Sequence, residues 1–166
     1  MLYYSPSSEQ KKTASLLGQK LRNVALILQA GHEHLKSFSS IIHDRKSQQM
    51  VYTLFTEIHQ YYLELINQIQ SLEGKPFDVD AENHRKDIFN LNELGKNPAI
   101  KDLIVECGKI EAPILKSYRE LLNSHFVTGD MRTFLQHQYN GFLYSFVKLK
   151  MLDSLNLTMR KTGVRF

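Results

Sequence analysis

The sequence predicts an all-α protein in which four long helices pack as a bundle. Three observations point to this class. Apolar residues recur three and four positions apart in four long segments, no segment shows the strict alternation of a strand, and only 8 Gly and 4 Pro occur in 166 residues. So few glycines and prolines argue against a turn-dense β-sandwich or barrel. A chain of this length can bury its own core, so residues 1–166 are predicted to form a single domain.

The first two predicted helices are joined by a short polar break. Ser5-Pro6 has the residue types of an N-cap and a first helical turn, and the first helix is predicted over about 8–43. The second is predicted over about 46–73, because Gly74 and Pro76 are typical of a helix end. A connection this short makes the two helices antiparallel neighbours. Their predicted core positions are Leu17, Leu21, Val24, Leu28, Gly31, Leu35, Phe38 and Ile42, then Val51, Leu54, Ile58, Tyr61, Leu65, Ile69 and Leu72.

The second half of the chain begins with a long connection over residues 74–97. It is rich in Asn and Asp, and a short helix is predicted inside it at about 81–94. A connection of this length favours a crossover along the bundle over a tight hairpin. Two further long helices are predicted over about 98–125 and 130–157. Their predicted core positions are Ile100, Leu103, Ile104, Cys107, Ile114, Tyr118, Leu121 and Leu122, then Leu135, Tyr139, Phe142, Phe146 and Leu149.

Charge and cysteine content exclude several classes of protein. Lys and Arg number 21 against 17 Asp and Glu, a net charge of +4 that is spread along the chain, so we expect no nucleic-acid partner. The single cysteine excludes an internal disulfide framework and a cysteine-based zinc site. Neither a signal peptide nor an apolar run of membrane-spanning length is apparent, so we expect a cytoplasmic protein without a membrane partner.

The order of these helices resembles that of ferritin-like bundles, in which two antiparallel helices, a long crossover and two more antiparallel helices follow one another. The sequence is also similar to a small bacterial group of ferritin-like domains of unknown function, over roughly residues 26–152. The segments that carry the similarity are Leu54-Phe55-Thr56-Glu57-Ile58, residues 72–76, residues 84–94, and Cys107-Gly108-Lys109-Ile110-Glu111 with Tyr118. The resemblance implies an up-down-down-up bundle whose crossover contains a short helix.

The resemblance also implies a di-iron or di-manganese centre, which takes one Glu from each of two helices and a Glu-x-x-His from each of the other two. The residues do not supply this set. Glu33 lies roughly 175° from the middle of its apolar stripe. A Glu-x-x-His pair needs a histidine three residues after the glutamate, but three residues after Glu57 the chain has Gln60, and His59 is only two residues away. No Glu occurs in residues 121–166. A complete centre is therefore not expected, and we predict no cofactor.

Glu111 is the one acid that the helical wheel places near an apolar centre, within about 30° of it. It is either a residual metal ligand or, as we favour, a buried acid that hydrogen-bonds across the core to Tyr139, Gln138 or Tyr61. If a rearranged metal site exists, its candidate ligands are Glu111, Glu57, His59 and His34. Cys107 is predicted to be a core hydrophobe rather than a nucleophile. Pro113, inside the third helix, marks either a ligand pocket or a tolerated kink.

Aromatic residues on the second and fourth helices cover more than one apolar stripe. They are Tyr52, Phe55, Tyr61 and Tyr62, then Phe134, Tyr139, Phe142, Tyr144 and Phe146. Such faces suit either the crossover helix or self-association, so we predict a homodimer. With no nucleophile motif or phosphate loop, we predict a non-enzymatic protein with an interaction or stress-related role, binding itself or an unidentified protein partner. The alternative is a ferritin-like metal-binding or small-ligand-binding protein.

Overall fold

The computed structural model describes residues 5–78 and 100–163, with the backbone alone at 156, 157, 159 and 160. This part of the chain forms four helices and no strand: α1 Ser8–Ser39, α2 Arg45–Glu73, α3 Ile100–Leu122 and α4 Gly129–Thr162. The prediction of an all-α, four-helix protein is therefore confirmed. The predicted short helix at 81–94 and most of the 74–97 connection lie outside the described residues.

The first helix ends four residues before its predicted end. Its start is a capping box, because the Ser7 side chain accepts from the Gln10 N–H while the Gln10 side chain accepts from the Ser7 N–H. Near its end, the Ser37 and Ser39 hydroxyls donate to carbonyls three residues earlier. Serine side chains that bond their own backbone compete with further helical turns. Asp44 then caps α2 through the Ser47 N–H.

The later helices also differ from their predicted ends. α3 stops at Leu122, and the Arg132 guanidinium donates to the Leu122 carbonyl over 2.7 Å. α4 continues to Thr162, and Gly163, in the left-handed conformation (φ 69°), ends it. Pro113 lies within α3, which is one uninterrupted helix.

The four helices pack as two antiparallel pairs, α1 with α2 and α3 with α4, and α1 also packs antiparallel on α3. α2 and α4 contact each other around Tyr61, which packs on Gly141 and Phe142. For α1 and α2 the direction is given by the contacts Arg22–Glu73 and His32–Phe55. For α3 and α4 it is given by Glu111–Lys150 and Tyr118–Gln138. For α1 and α3 it is given by Gly31–Ile110 and His34–Glu106. Within the described residues, no helix is both long enough and apolar enough to span a membrane.

The core follows the predicted stripes closely. Most of the predicted positions are buried, although Leu72 is exposed and Leu17, Ile100, Ile104 and Tyr139 are half-buried. Gly31 lies where three helices meet, because a Cβ there would come within 3.1 Å of the Ile110 Cγ2 on α3 and within 3.9 Å of the Ile58 Cδ1 on α2. The buried residues that the periodicity missed include the apolar Ala25, Leu26, Ile110, Leu115 and Val127 and the polar Ser47, Glu106 and Gln138.

Candidate functional site

The four candidate ligands Glu111, Glu57, His59 and His34 do not converge on one point. Glu111 bonds to α4, His34 faces α3, and His59 is exposed on α2, where it stacks on His32. Among the residues the structure describes, no three His, Cys, Asp or Glu side chains lie close enough to hold a metal ion together.

Glu111 has a different partner from the three that the sequence suggested. Its carboxylate accepts from the Lys150 ammonium over 2.7 Å, and its side chain is 17% exposed. The expected bond to Tyr139, Gln138 or Tyr61 is therefore wrong. Glu111 sits at the margin of the α3–α4 contact, where a long lysine reaches it while keeping its charge close to water.

The buried acid of this bundle is Glu106, which is 3% exposed. Its Oε1 accepts from the Lys109 ammonium over 2.6 Å, and its Oε2 lies 3.8 Å from the His34 Nε2. Neither the Glu106 Oε2 nor the His34 Nε2 has a hydrogen-bond partner within the described residues. Burial lowers the pKa of His34, the Glu106 carboxylate opposes that shift, and the Lys109 ammonium adds to it. The contact is thus an incompletely satisfied polar junction between α1 and α3.

A second polar group, the tyrosine–glutamine network, lies between α2, α3 and α4 and consists of Tyr118, Gln138, Tyr61 and Glu64. The Tyr118 hydroxyl donates to the Gln138 Oε1 over 2.7 Å. The Gln138 amide in turn donates to the Tyr61 carbonyl over 3.2 Å and to a Glu64 carboxylate oxygen over 3.0 Å. Tyr118 and Gln138 are fully buried. Burial raises the pKa of Tyr118 well above its ordinary value, so its hydroxyl serves as a donor and not as a base.

Tyr61 completes this interior against α4. Its hydroxyl packs on Gly141 so closely that a Cβ at that position would overlap it. Burial raises the pKa of Tyr61 to about 12, and the Glu57 carboxylate adds to the effect. One Glu57 oxygen, Oε2, is buried with no hydrogen-bond partner in the described part of the chain. Both phenols in this interior are therefore protonated at neutral pH.

On the outer face of α1 and α2, five rings form an aromatic row: Tyr52, Phe55, His32, His59 and Tyr62. His32 stacks on Phe55 and on His59, with centroid distances of 4.2 and 4.6 Å. The row is extended at one end by Tyr52, whose ring centroid lies 6.1 Å from that of Phe55, and at the other by Tyr62, 6.4 Å from His59. Burial and the neighbouring His59 lower the pKa of His32. A surface cavity of about 420 Å³ adjoins the row at Tyr52, and its only charged lining residue is Arg45.

Cys107 is buried, and burial raises the pKa of its thiol from 9.0 to about 12. The thiolate is the reactive form, so this raised pKa keeps its population small at neutral pH. We therefore expect iodoacetamide to leave the native protein unmodified at about pH 8 and to alkylate it fully in urea. Mass spectrometry of the intact protein measures this. Rapid native alkylation would contradict the placement of Cys107 in the core.

α4 carries two apolar stripes on opposite faces. The buried stripe contains Leu135, Phe142, Phe146 and Leu149. The other, here called the α4 outer stripe, contains Tyr144, Val147, Met151 and Leu155, all more than half exposed. At 100° per residue the two stripes lie about 180° apart around the helix. The α4 outer stripe is therefore separate from the bundle core.

With this geometry in hand, comparison with known proteins adds no relative: no family model, curated protein or solved structure matches the chain. The functional argument consequently depends on the residues themselves. The strongest surface feature is the α4 outer stripe, and the strongest interior features are the Glu106 junction and the tyrosine–glutamine network.

Proposed function

We propose that this protein is a non-catalytic, ferritin-like helical bundle that binds a second copy of itself through the α4 outer stripe. The observation that carries the proposal is the stripe itself, four large apolar side chains exposed on one helix face. The ferritin-like, up-down-down-up part of the proposal is supported by the antiparallel packing of α1 with α2, of α3 with α4, and of α1 with α3.

The donor chemistry of the interior favours a bundle without a di-metal centre. Such a centre takes a Glu from each of the four helices, and α4 contains no Glu. The inward polar side chain of α4 is an amide, Gln138, which is already bonded to Tyr118. On α3, lysine ammonium groups bond to both Glu106 and Glu111 and so compete with a cation for these carboxylates. The alternative of a metal site built from Glu111, Glu57, His59 and His34 is disfavoured because these side chains lie apart.

A second copy fits the stripe because its spacing is nearly symmetric. Tyr144 and Leu155 lie at equal distances along the helix from a point between residues 149 and 150, with Val147 and Met151 inside them. In an antiparallel, two-fold pair of α4 helices, Tyr144 of one copy therefore meets Leu155 of the other. Four side chains cover only a few hundred Å², against roughly 800 Å² per partner in stable complexes. We therefore propose a weak dimer.

The stripe is tested by replacing two of its members, Tyr144→Lys and Met151→Lys, in one variant. Placing two charges in an apolar contact abolishes it, because each would be desolvated without a partner. In sedimentation velocity from about 10 µM to 1 mM, we expect the weight-average sedimentation coefficient of the unmodified protein to rise and that of the variant to stay constant.

The matched control is Tyr52→Lys, which replaces an equally large exposed ring on α2, outside the stripe. This control should associate like the unmodified protein. The proposal fails if the unmodified protein remains monomeric throughout, or if the double variant associates as strongly as the control.

A further inference from the structure

His32 and His34 lie two positions apart on α1, so their rings face different neighbours. His32 stacks on Phe55 and His59 of α2. The His34 side chain is 7% exposed, and its Nε2 faces the Glu106 carboxylate of α3. One short segment of α1 therefore places an imidazole in each of its two main helix contacts.

We propose that these two histidines make α1 a proton-sensitive element of the bundle: when both become charged, α1 loosens from α2 and α3 while the α3–α4 pair stays packed. The physical basis is the placement of each ring, one stacked on a second imidazole and one enclosed beside a carboxylate that already has a cationic partner.

At the α2 contact, charging His32 is opposed on three counts. Burial opposes it most. Repulsion from His59, whose ring centroid lies 4.6 Å from that of His32, comes next, followed by repulsion from the Lys36 ammonium on α1 itself. Glu33 is the one nearby acid that favours the charged ring. The balance lowers the pKa of His32, so a proton on this ring weakens the α1–α2 contact.

At the α3 contact, Glu106 attracts a charged His34, but this attraction is incomplete. The Lys109 ammonium lies 2.6 Å from the Glu106 Oε1 and repels the charged imidazole. The gap of 3.8 Å between the His34 Nε2 and the Glu106 Oε2 exceeds hydrogen-bond distance, and the centroids of the His34 and Phe38 rings lie 4.0 Å apart. Burial outweighs the attraction, so the pKa of His34 is also lowered.

The sign of the pH dependence follows from these directions. Both histidines have a lower pKa in the folded state than the ordinary value of 6.5 in the unfolded chain. The unfolded chain therefore binds protons first, and stability falls as the pH drops below about 6.5 toward the lower folded values. Above about 6.5 neither group contributes a pH dependence. On the α3–α4 side, His125 and His137 are exposed.

The test is amide hydrogen exchange by mass spectrometry at about pH 7.5 and 5.5, a window above the ordinary pKa of Asp and Glu. Rates are corrected for the intrinsic effect of pH. We expect acidification to raise exchange in α1 peptides several-fold and to change α3 and α4 peptides little. The double variant His32→Gln, His34→Gln should lose most of this pH response, and the control His125→Gln, His137→Gln should keep it.

A second measurement covers the case in which the double variant is too unstable for exchange. The urea midpoint is followed against pH for each single variant, because the change with pH, and not the absolute midpoint, carries the proposal. Each single variant should show a weaker decline between about pH 7 and 5 than the unmodified protein. The proposal is overturned if the urea midpoint declines with pH as steeply in the single variants as in the His125→Gln, His137→Gln control. It is also overturned if acidification raises amide exchange equally in all four helices.

Discussion

Replacing Gln138 with alanine is expected to lower the free energy of unfolding by about 3 kcal/mol. The change removes the acceptor of the fully buried Tyr118 hydroxyl, and an orphaned buried donor costs about 1–3 kcal/mol. It also removes the amide that bonds to the Tyr61 carbonyl and Glu64, and it leaves a cavity between α2, α3 and α4. Urea unfolding followed by circular dichroism measures the loss.

The matched control is Gln136→Ala, two residues earlier on α4. The Gln136 amide donates to the Asn140 side chain in an exposed bond, so its loss should cost less than about 0.5 kcal/mol. Tyr118→Phe in the Gln138→Ala background should cost little further, because both changes remove the same bond. Additive effects of the two substitutions, or equal losses at positions 136 and 138, would contradict the buried network.

Phe142→Ala should cost about 4 kcal/mol, within the range for removing a fully buried aromatic ring. The Phe142 ring packs edge-on against the Tyr61 ring, with 4.9 Å between the ring centroids. Its centroid lies 5.7 Å from that of Tyr118 and 6.3 Å from that of Phe146. Aromatic pairs of this kind add about 0.5–1.5 kcal/mol beyond their buried area. Thermal or urea unfolding at low protein concentration measures the effect without a contribution from association.

Tyr144→Ala provides the comparison for Phe142, because it removes an aromatic ring from the opposite, exposed face of the same helix. At low protein concentration it should change the free energy of unfolding by less than about 0.5 kcal/mol. A cost at Tyr144 close to that at Phe142 would mean that the α4 faces are assigned the wrong way round.

Hydrophobic periodicity predicted the helices and most of the core because it reports which face of each helix is apolar. It did not predict the end of α1, where the Ser37 and Ser39 hydroxyls bond the backbone, since Phe38 and Ile42 continue the apolar stripe beyond that point. It also ended α4 at about residue 157, although the residue whose left-handed conformation ends the helix is Gly163.

The polar interior was harder to predict, because a helical wheel shows the direction of a side chain but not its partner. Glu106 lies to one side of its apolar stripe and is buried because α1 covers it with His34, a contact between residues distant in sequence. Glu111 lies nearer the predicted centre, yet Lys150 of α4 reaches it at the margin. The sequence suggests Gln138 only as a partner for Glu111. Its actual bond to the Tyr118 hydroxyl depends on the pairing of α3 with α4.

The two antiparallel helix pairs have a consequence for the order in which the chain folds. Residues 40–44 join α1 to α2 and residues 123–128 join α3 to α4, so closing either pair costs little loop entropy. The approach of Gly31 to Ile110 brings together parts of the chain separated by more than one whole helix. Because local contacts form fastest, we expect each pair to assemble on its own and the docking of the two pairs at Gly31 to limit the rate. Substitutions at the α1–α3 contact should then change the folding rate more than substitutions within either pair.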